Sequence, residues 1–175
     1  TVQSCNQCHD LTGEGRWAPD YDAALASTDA GAFTLFAAHQ PLQALDVEGR
    51  GVDVQLIAGD GLSAHALLLQ GQQLISALAS ELTQVGLKVG KPLFVRHARI
   101  GVQDEIGTLT GARSTLIIVG ERPGLGTGDS LSIYTAFKPR LGQDNSEKNC
   151  ISNIRPLGLP PSAAASECAR LLRRT

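Results

Sequence analysis

The sequence predicts an α/β fold, a mostly parallel sheet with flanking helices, preceded by an irregular N-terminal leader. Three observations predict it. From Val52 onward, short apolar or alternating runs take turns with segments of helical periodicity, the pattern of strand–helix units. The apolar run Ser114–Val119 (STLIIV) leads directly into the glycine-rich GERPGLGTGDS. The first 28 residues have no sustained periodicity at all. The 175-residue chain therefore divides into a leader, 1–28, and an α/β domain, 29–175.

Taken in order, the leader holds Cys5, Cys8, His9, Gly13, Gly15, Trp17 and Pro19. Residues 29–46 contain an Ala-rich, helix-favouring run with Phe33, Phe36 and Ala37 at helical spacing, which Pro41 should break or kink. Val52–Ala58 alternates as a strand. Gly59-Asp60-Gly61 is a turn, and Ser63 is an N-cap for a long helix over Ala64–Val85 that Gly86 ends. Its predicted apolar face carries Leu67, Leu68, Leu74, Ile75, Leu78 and Leu82. Pro92–His97 is a second strand, Asp104–Leu109 a short helix, and Ser114–Val119 a buried strand. Leu131–Phe137 and Cys150–Ile154 are further strands, and Ser162–Arg173 closes the chain as a helix after Pro160-Pro161.

Apolar content of 42% supports a core, while charged residues make up 18% and the formal net charge is −2. No basic footprint stands out, which argues against a nucleic-acid partner. Arg170, Arg173 and Arg174 instead complement a helix C-terminus. No run approaches the ~18 apolar residues of a transmembrane helix. The chain starts at Thr1 and contains no Met, so removal of an initiator Met or of a signal peptide is expected.

Cys5-Asn6-Gln7-Cys8-His9 is a C-x-x-C-H motif. Two thiols at this spacing can add to the vinyl groups of haem, and the adjacent His can ligate its iron. SCNQCHDLTGEG resembles the haem-attachment segment of c-type cytochromes over about a dozen residues. Alternatives for the same residues are a redox disulfide or half of a zinc site. With no Met available, the sixth iron ligand would be His39, the first candidate, or His97 or His65, or it would come from outside the chain, or the position would be vacant. A leader of this size cannot bury a haem alone, so the macrocycle would lie against the α/β domain, a neighbouring subunit or another haem, which motivates an expectation of self-association into an oligomer or filament. Cys150 and Cys168 could pair as a disulfide in an oxidising compartment.

Five segments are distinctive: Asp60-Gly61-Leu62-Ser63-Ala64, Gly86-Leu87-Lys88-Val89-Gly90, Phe94-Val95-Arg96, Gly120-Glu121-Arg122-Pro123-Gly124-Leu125-Gly126 and Asn149-Cys150-Ile151-Ser152-Asn153-Ile154-Arg155-Pro156. In this order they resemble the small subunit (light chain) of ethanolamine ammonia-lyase, over about residues 52–172. The resemblance implies a Rossmann-like domain that binds adenosylcobalamin together with a large subunit. Carried over by motif, Ile100, Glu121 and Cys150 would contact the cobalamin. His97 stands where the family usually has Tyr, and His65 is also unusual for it.

Together these readings lead to an exported, periplasmic or extracellular, mono-haem c-type cytochrome on a lyase-small-subunit-like scaffold. It would transfer electrons between redox partners and be no enzyme. The alternative is a cytoplasmic, adenosylcobalamin-binding small subunit of an ethanolamine ammonia-lyase, partnered by the large subunit. No catalytic constellation is legible: Asp104 with Glu105, and Asp20 with Asp22, read as helix-start or loop charges.

Overall fold

In the computed structural model, the described residues are 51–124 and 128–173, with the backbone of two short strands, β1 (Cys8–His9) and β2 (Ala18–Pro19). β1 and β2 pair antiparallel, Cys8 opposite Pro19 and His9 opposite Ala18. The domain then runs β3 (Val54–Gly59), α1 (Ala64–Gln84), β4 (Leu93–Val95), α2 (Val102–Thr110), β5 (Ser114–Gly120), β6 (Leu131–Phe137), β7 (Asn149–Ile154) and α3 (Pro161–Leu172), with a 3₁₀ turn at Asn145–Glu147 before β7.

The five strands form one sheet in the order β4-β3-β5-β6-β7. β3 pairs parallel with β4 and β5, whereas β5–β6 and β6–β7 are antiparallel. The sheet is thus half parallel, which corrects the mostly parallel expectation. The reason is connection length. α1 and α2 supply the crossovers that parallel neighbours require, but only ten residues join β5 to β6 and eleven join β6 to β7. Links that short, without a crossover helix, return the chain antiparallel.

β3 and β5 are buried at every position, as expected for strands covered on both faces. Their side chains alternate between two cores. Val54, Leu56, Ala58, Leu116 and Ile118 join α1 and α3 in the larger cluster. Ile57, Ile117 and Val119 join Ile106 of α2 in the smaller one. Each fully buried Leu or Ile contributes roughly 1.5–3 kcal/mol relative to exposure. The result is three layers, with α1 and α3 on one face and α2 on the other.

α1 begins where expected: Ser63 Oγ accepts from the Ala66 amide at 3.2 Å. It ends at Gly86, whose φ of +84° lets the Gly86 and Leu87 amides donate back to Thr83 and Leu82. Its apolar face differs at Leu68. Seven residues advance a helix to within about 20° of its starting direction, so Leu68 shares a side with the buried Ile75. Yet Leu68 is 83% exposed, because the described residues that cover this turn reach Ala66 and Gln70 but not Leu68.

The Cys150–Cys168 pairing is also corrected: both thiols are free. Cys168 lies in the larger core beneath α3. Cys150 stands opposite Tyr134, whose ring packs against the smaller core. The sheet separates the two sulfurs.

Candidate functional site

The chain leaves β3 through α1 on one face to reach β4, then crosses by α2 on the other face to β5. Opposite crossovers from adjacent parallel strands open a crevice beyond their carboxyl ends, where ligands of open α/β sheets bind. The loops that frame this end are 60–63 after β3, 96–101 after β4, and the one starting at Glu121 after β5.

These loops are locked to one another. Asp60 accepts from the backbone amides of His97 (Oδ2, 2.8 Å) and Ala98 (Oδ1, 2.9 Å). That grip holds His97 in the left-handed region, at φ +55°, a conformation unfavourable for a residue with a Cβ. Arg99 Nη1 donates to the carbonyls of Gly61 and Ala98, both at 2.8 Å. Gly61 and Gly120 cross backbone to backbone, and the Leu62 amide donates to Gly120 O at 2.8 Å. A Cβ on Gly120 would collide with the Ser63 and Asp60 carbonyls, so only glycine fits there. Ser63 Oγ donates to Gly128 O at 2.9 Å, and Gln70 Nε2 donates to Asp129 O. These two bonds pin the far end of the glycine-rich loop to α1.

Beside the β5 exit, the Tyr134 hydroxyl lies between the Glu121 carboxylate, 3.4 Å away, and the Cys150 thiol. Burial, then the Cys150 and Glu121 neighbours, push the Tyr134 hydroxyl above its ordinary range. Burial likewise pushes the Cys150 thiol up and the Glu121 charge adds to it, against the Tyr134 hydrogen bond, which lowers it. Both groups therefore stay neutral near pH 7. This corner offers neutral hydrogen-bonding groups and one carboxylate, and no ready thiolate nucleophile.

Of the expected residues, Glu121 and Cys150 are brought together through Tyr134. Ile100 sits in the turn before α2, and Val102, two residues on, packs against the same core cluster as Tyr134. All three positions thus border the α2 face. His65 and His97 are both exposed. Among the described residues, no group of three or more His, Cys, Asp or Glu side chains could hold a metal ion. Cys5, His39 and the side chains of Cys8 and His9 lie outside the described residues, as do residues 125–127 of the glycine-rich loop.

Three participants were not legible. Tyr134 gave only the faint signal of a tyrosine in the middle of a strand. Asp60 read as a turn residue. Asp104 does start α2, as expected for a helix-start charge, but it is buried and ion-paired to Lys148 at 2.8 Å. That partner lies 44 positions away, and no sequence pattern links the two.

Among solved structures, a PelC dodecamer from Paraburkholderia phytofirmans is 15% identical, with 72% of this chain and 89% of that chain covered and a TM-score of 0.36. A likeness at that level carries no argument. A family model described as ethanolamine ammonia-lyase light chain (EutC) matches residues 17–175. This match overturns the reading as an electron-transferring c-type cytochrome carrying haem c. It takes in the domain and also the leader from Trp17 onward, so the C-x-x-C-H pentapeptide is a short motif beside a lyase-type chain. The redox partners invoked for an electron relay fall with that reading. The chain belongs to the ethanolamine ammonia-lyase light chain family.

Proposed function

We propose that this chain is the adenosylcobalamin-binding small subunit of an ethanolamine ammonia-lyase and acts with a large subunit. The observation that carries the proposal is the Glu121–Tyr134–Cys150 cluster beside the crevice, in a chain whose family is that light chain. When bound, adenosylcobalamin supplies the radical chemistry. The residues present suit such a ligand. Ile100 offers apolar surface to a macrocycle. The partly exposed Glu121 carboxylate can accept from amide N–H groups at the cofactor's rim. Cys150 is exposed and neutral.

In this reading Tyr134 keeps the Glu121 carboxylate and the Cys150 thiol in fixed relation. The Asp60 grip on His97 and Ala98 fixes the loop that carries Ile100. Leu62, Leu68 and Leu69, 47%, 83% and 59% exposed, give the start of α1 an apolar surface suited to the large subunit.

The test is co-purification of the full chain with an ethanolamine ammonia-lyase large subunit, followed by titration with adenosylcobalamin. Corrinoid absorbance retained by the complex, together with ammonia released from ethanolamine, is the expected result. A stable complex that retains no corrinoid would refute the proposal.

A further inference from the structure

Lys148 and Asp104 form an ion pair with side chains only 1% and 6% exposed. Lys148 Nζ donates to Asp104 Oδ2 at 2.8 Å, Asn145 Oδ1 at 3.1 Å and Gln143 O at 3.2 Å. All three ammonium protons are thereby used. Asp104 Oδ1 has no donor among the described residues, so Lys148 alone holds that carboxylate. A buried pair of this kind is a poor source of net stability, since well-packed apolar residues often do as well, but it sets geometry sharply.

Its location gives that geometry a purpose. Asp104 lies in the first turn of α2, and its amide donates to Gly101 O at 3.0 Å, the residue after Ile100. Lys148 immediately precedes β7 and stands two residues before Cys150. The turn carrying Ile100 and the strand carrying Cys150 come from opposite ends of the sheet order, β4 and β7. No strand pairing joins them. Beside the pair lies an open polar cavity of about 460 Å³, lined by Gly101, Glu105 and residues 141–145. Pro139 of the β6–β7 link also packs on Gly107 in the middle of α2, and the ion pair is the tie between the first turn of α2 and the residue that enters β7.

We infer that Asp104 and Lys148 are positioning residues that hold Ile100 and Cys150 in register for the cofactor. This inference rests on the cobalamin reading above.

The test uses the full chain in complex with the large subunit and measures the Kd for adenosylcobalamin by absorbance titration, alongside urea unfolding of the chain. Three variants decide it: Lys148→Arg, Asp104→Asn, and Asp104→Leu combined with Lys148→Met. Lys148→Arg keeps the pair and should bind within about two-fold of the parent. The apolar double variant should unfold at or above the parent's urea midpoint yet bind at least about ten-fold more weakly. Losses of that size follow removal of groups that orient a ligand-holding residue. Asp104→Asn, which keeps the shape and loses the charge, should also bind more weakly, and it decides the matter if the double variant does not fold. Parent-like affinity in the folded double variant, or in Asp104→Asn, would show that the pair serves only the fold and would overturn the inference. If the parent complex itself retains no corrinoid, the cobalamin reading fails first, and the two failures are told apart by that control.

Discussion

Gly120 shows how much one atom decides in this fold. It ends β5 where two loops cross, and an added Cβ would strike the Ser63 carbonyl, which is backbone and cannot rotate away. Gly120→Ala is therefore expected to cost about 3 kcal/mol in urea unfolding, at the upper end for overpacked sites. A loss below about 1 kcal/mol would mean that the crossing is looser than described.

Cys168 is the residue-scale case for pH. Burial raises its thiol from an ordinary value of 9.0 to about 12. Its folded pKa thus lies above the unfolded one. The stability associated with the neutral thiol is fully present below about pH 9 and declines as pH rises from there toward about 12. Cys168→Ala removes that titration. Its urea midpoint should fall less steeply between pH 9 and pH 10.5 than the parent's, and parallel curves would contradict the buried thiol.

At the scale of elements, α1 is tied at its start by a single side chain with two roles. Ser63 caps the helix by accepting from the Ala66 amide and also donates to Gly128 across the loop gap. Ser63→Ala should cost about 1 kcal/mol for the cap alone and something more for the loop bond. The added signature is faster amide exchange in residues 128–130. Loss of stability without that change would assign the hydroxyl to the helix only. The β5–β6 hairpin differs from the crossovers before it in the same local sense: ten residues without a helix cannot bring the chain back parallel. The Glu121–Tyr134–Cys150 cluster depends on that reversal and on the next one: the first sets Tyr134 opposite Ile117 on β5, and the β6–β7 return sets it opposite Cys150.

At the scale of the molecule, the two faces of the sheet are unequal. Among the described residues, α1 and α3 cover one face with a large core, while the other face is covered by α2, whose Ile106 joins three buried sheet residues in a cluster of four. The site positions border the thinner face, where fewer packed neighbours constrain the loops and an ion pair takes over part of that task. The start of α1 presents Leu68 and Leu69 outward. Leu68→Glu with Leu69→Glu should leave urea unfolding within about 0.5 kcal/mol, as for other surface changes, and should abolish co-purification with the large subunit. Unimpaired assembly would place the partner elsewhere.

The division between sequence and tertiary structure runs through particular residues. The strand Leu131–Phe137 was legible residue for residue, and α1 to within one residue at its end, because period, N-cap and terminal glycine are local properties of the chain. The five segments pointed to the right family. The C-x-x-C-H motif misled, because five residues specify a chemistry only within a suitable chain. Leu68 misled because helical periodicity says which side a residue takes and not whether anything covers that side. Strand direction after β5, the separation of Cys150 from Cys168, the Tyr134 bridge and the Asp104–Lys148 pair depend on residues far apart in the chain. Such contacts form only when the sheet order brings their elements together, and neither period nor spacing carries that order.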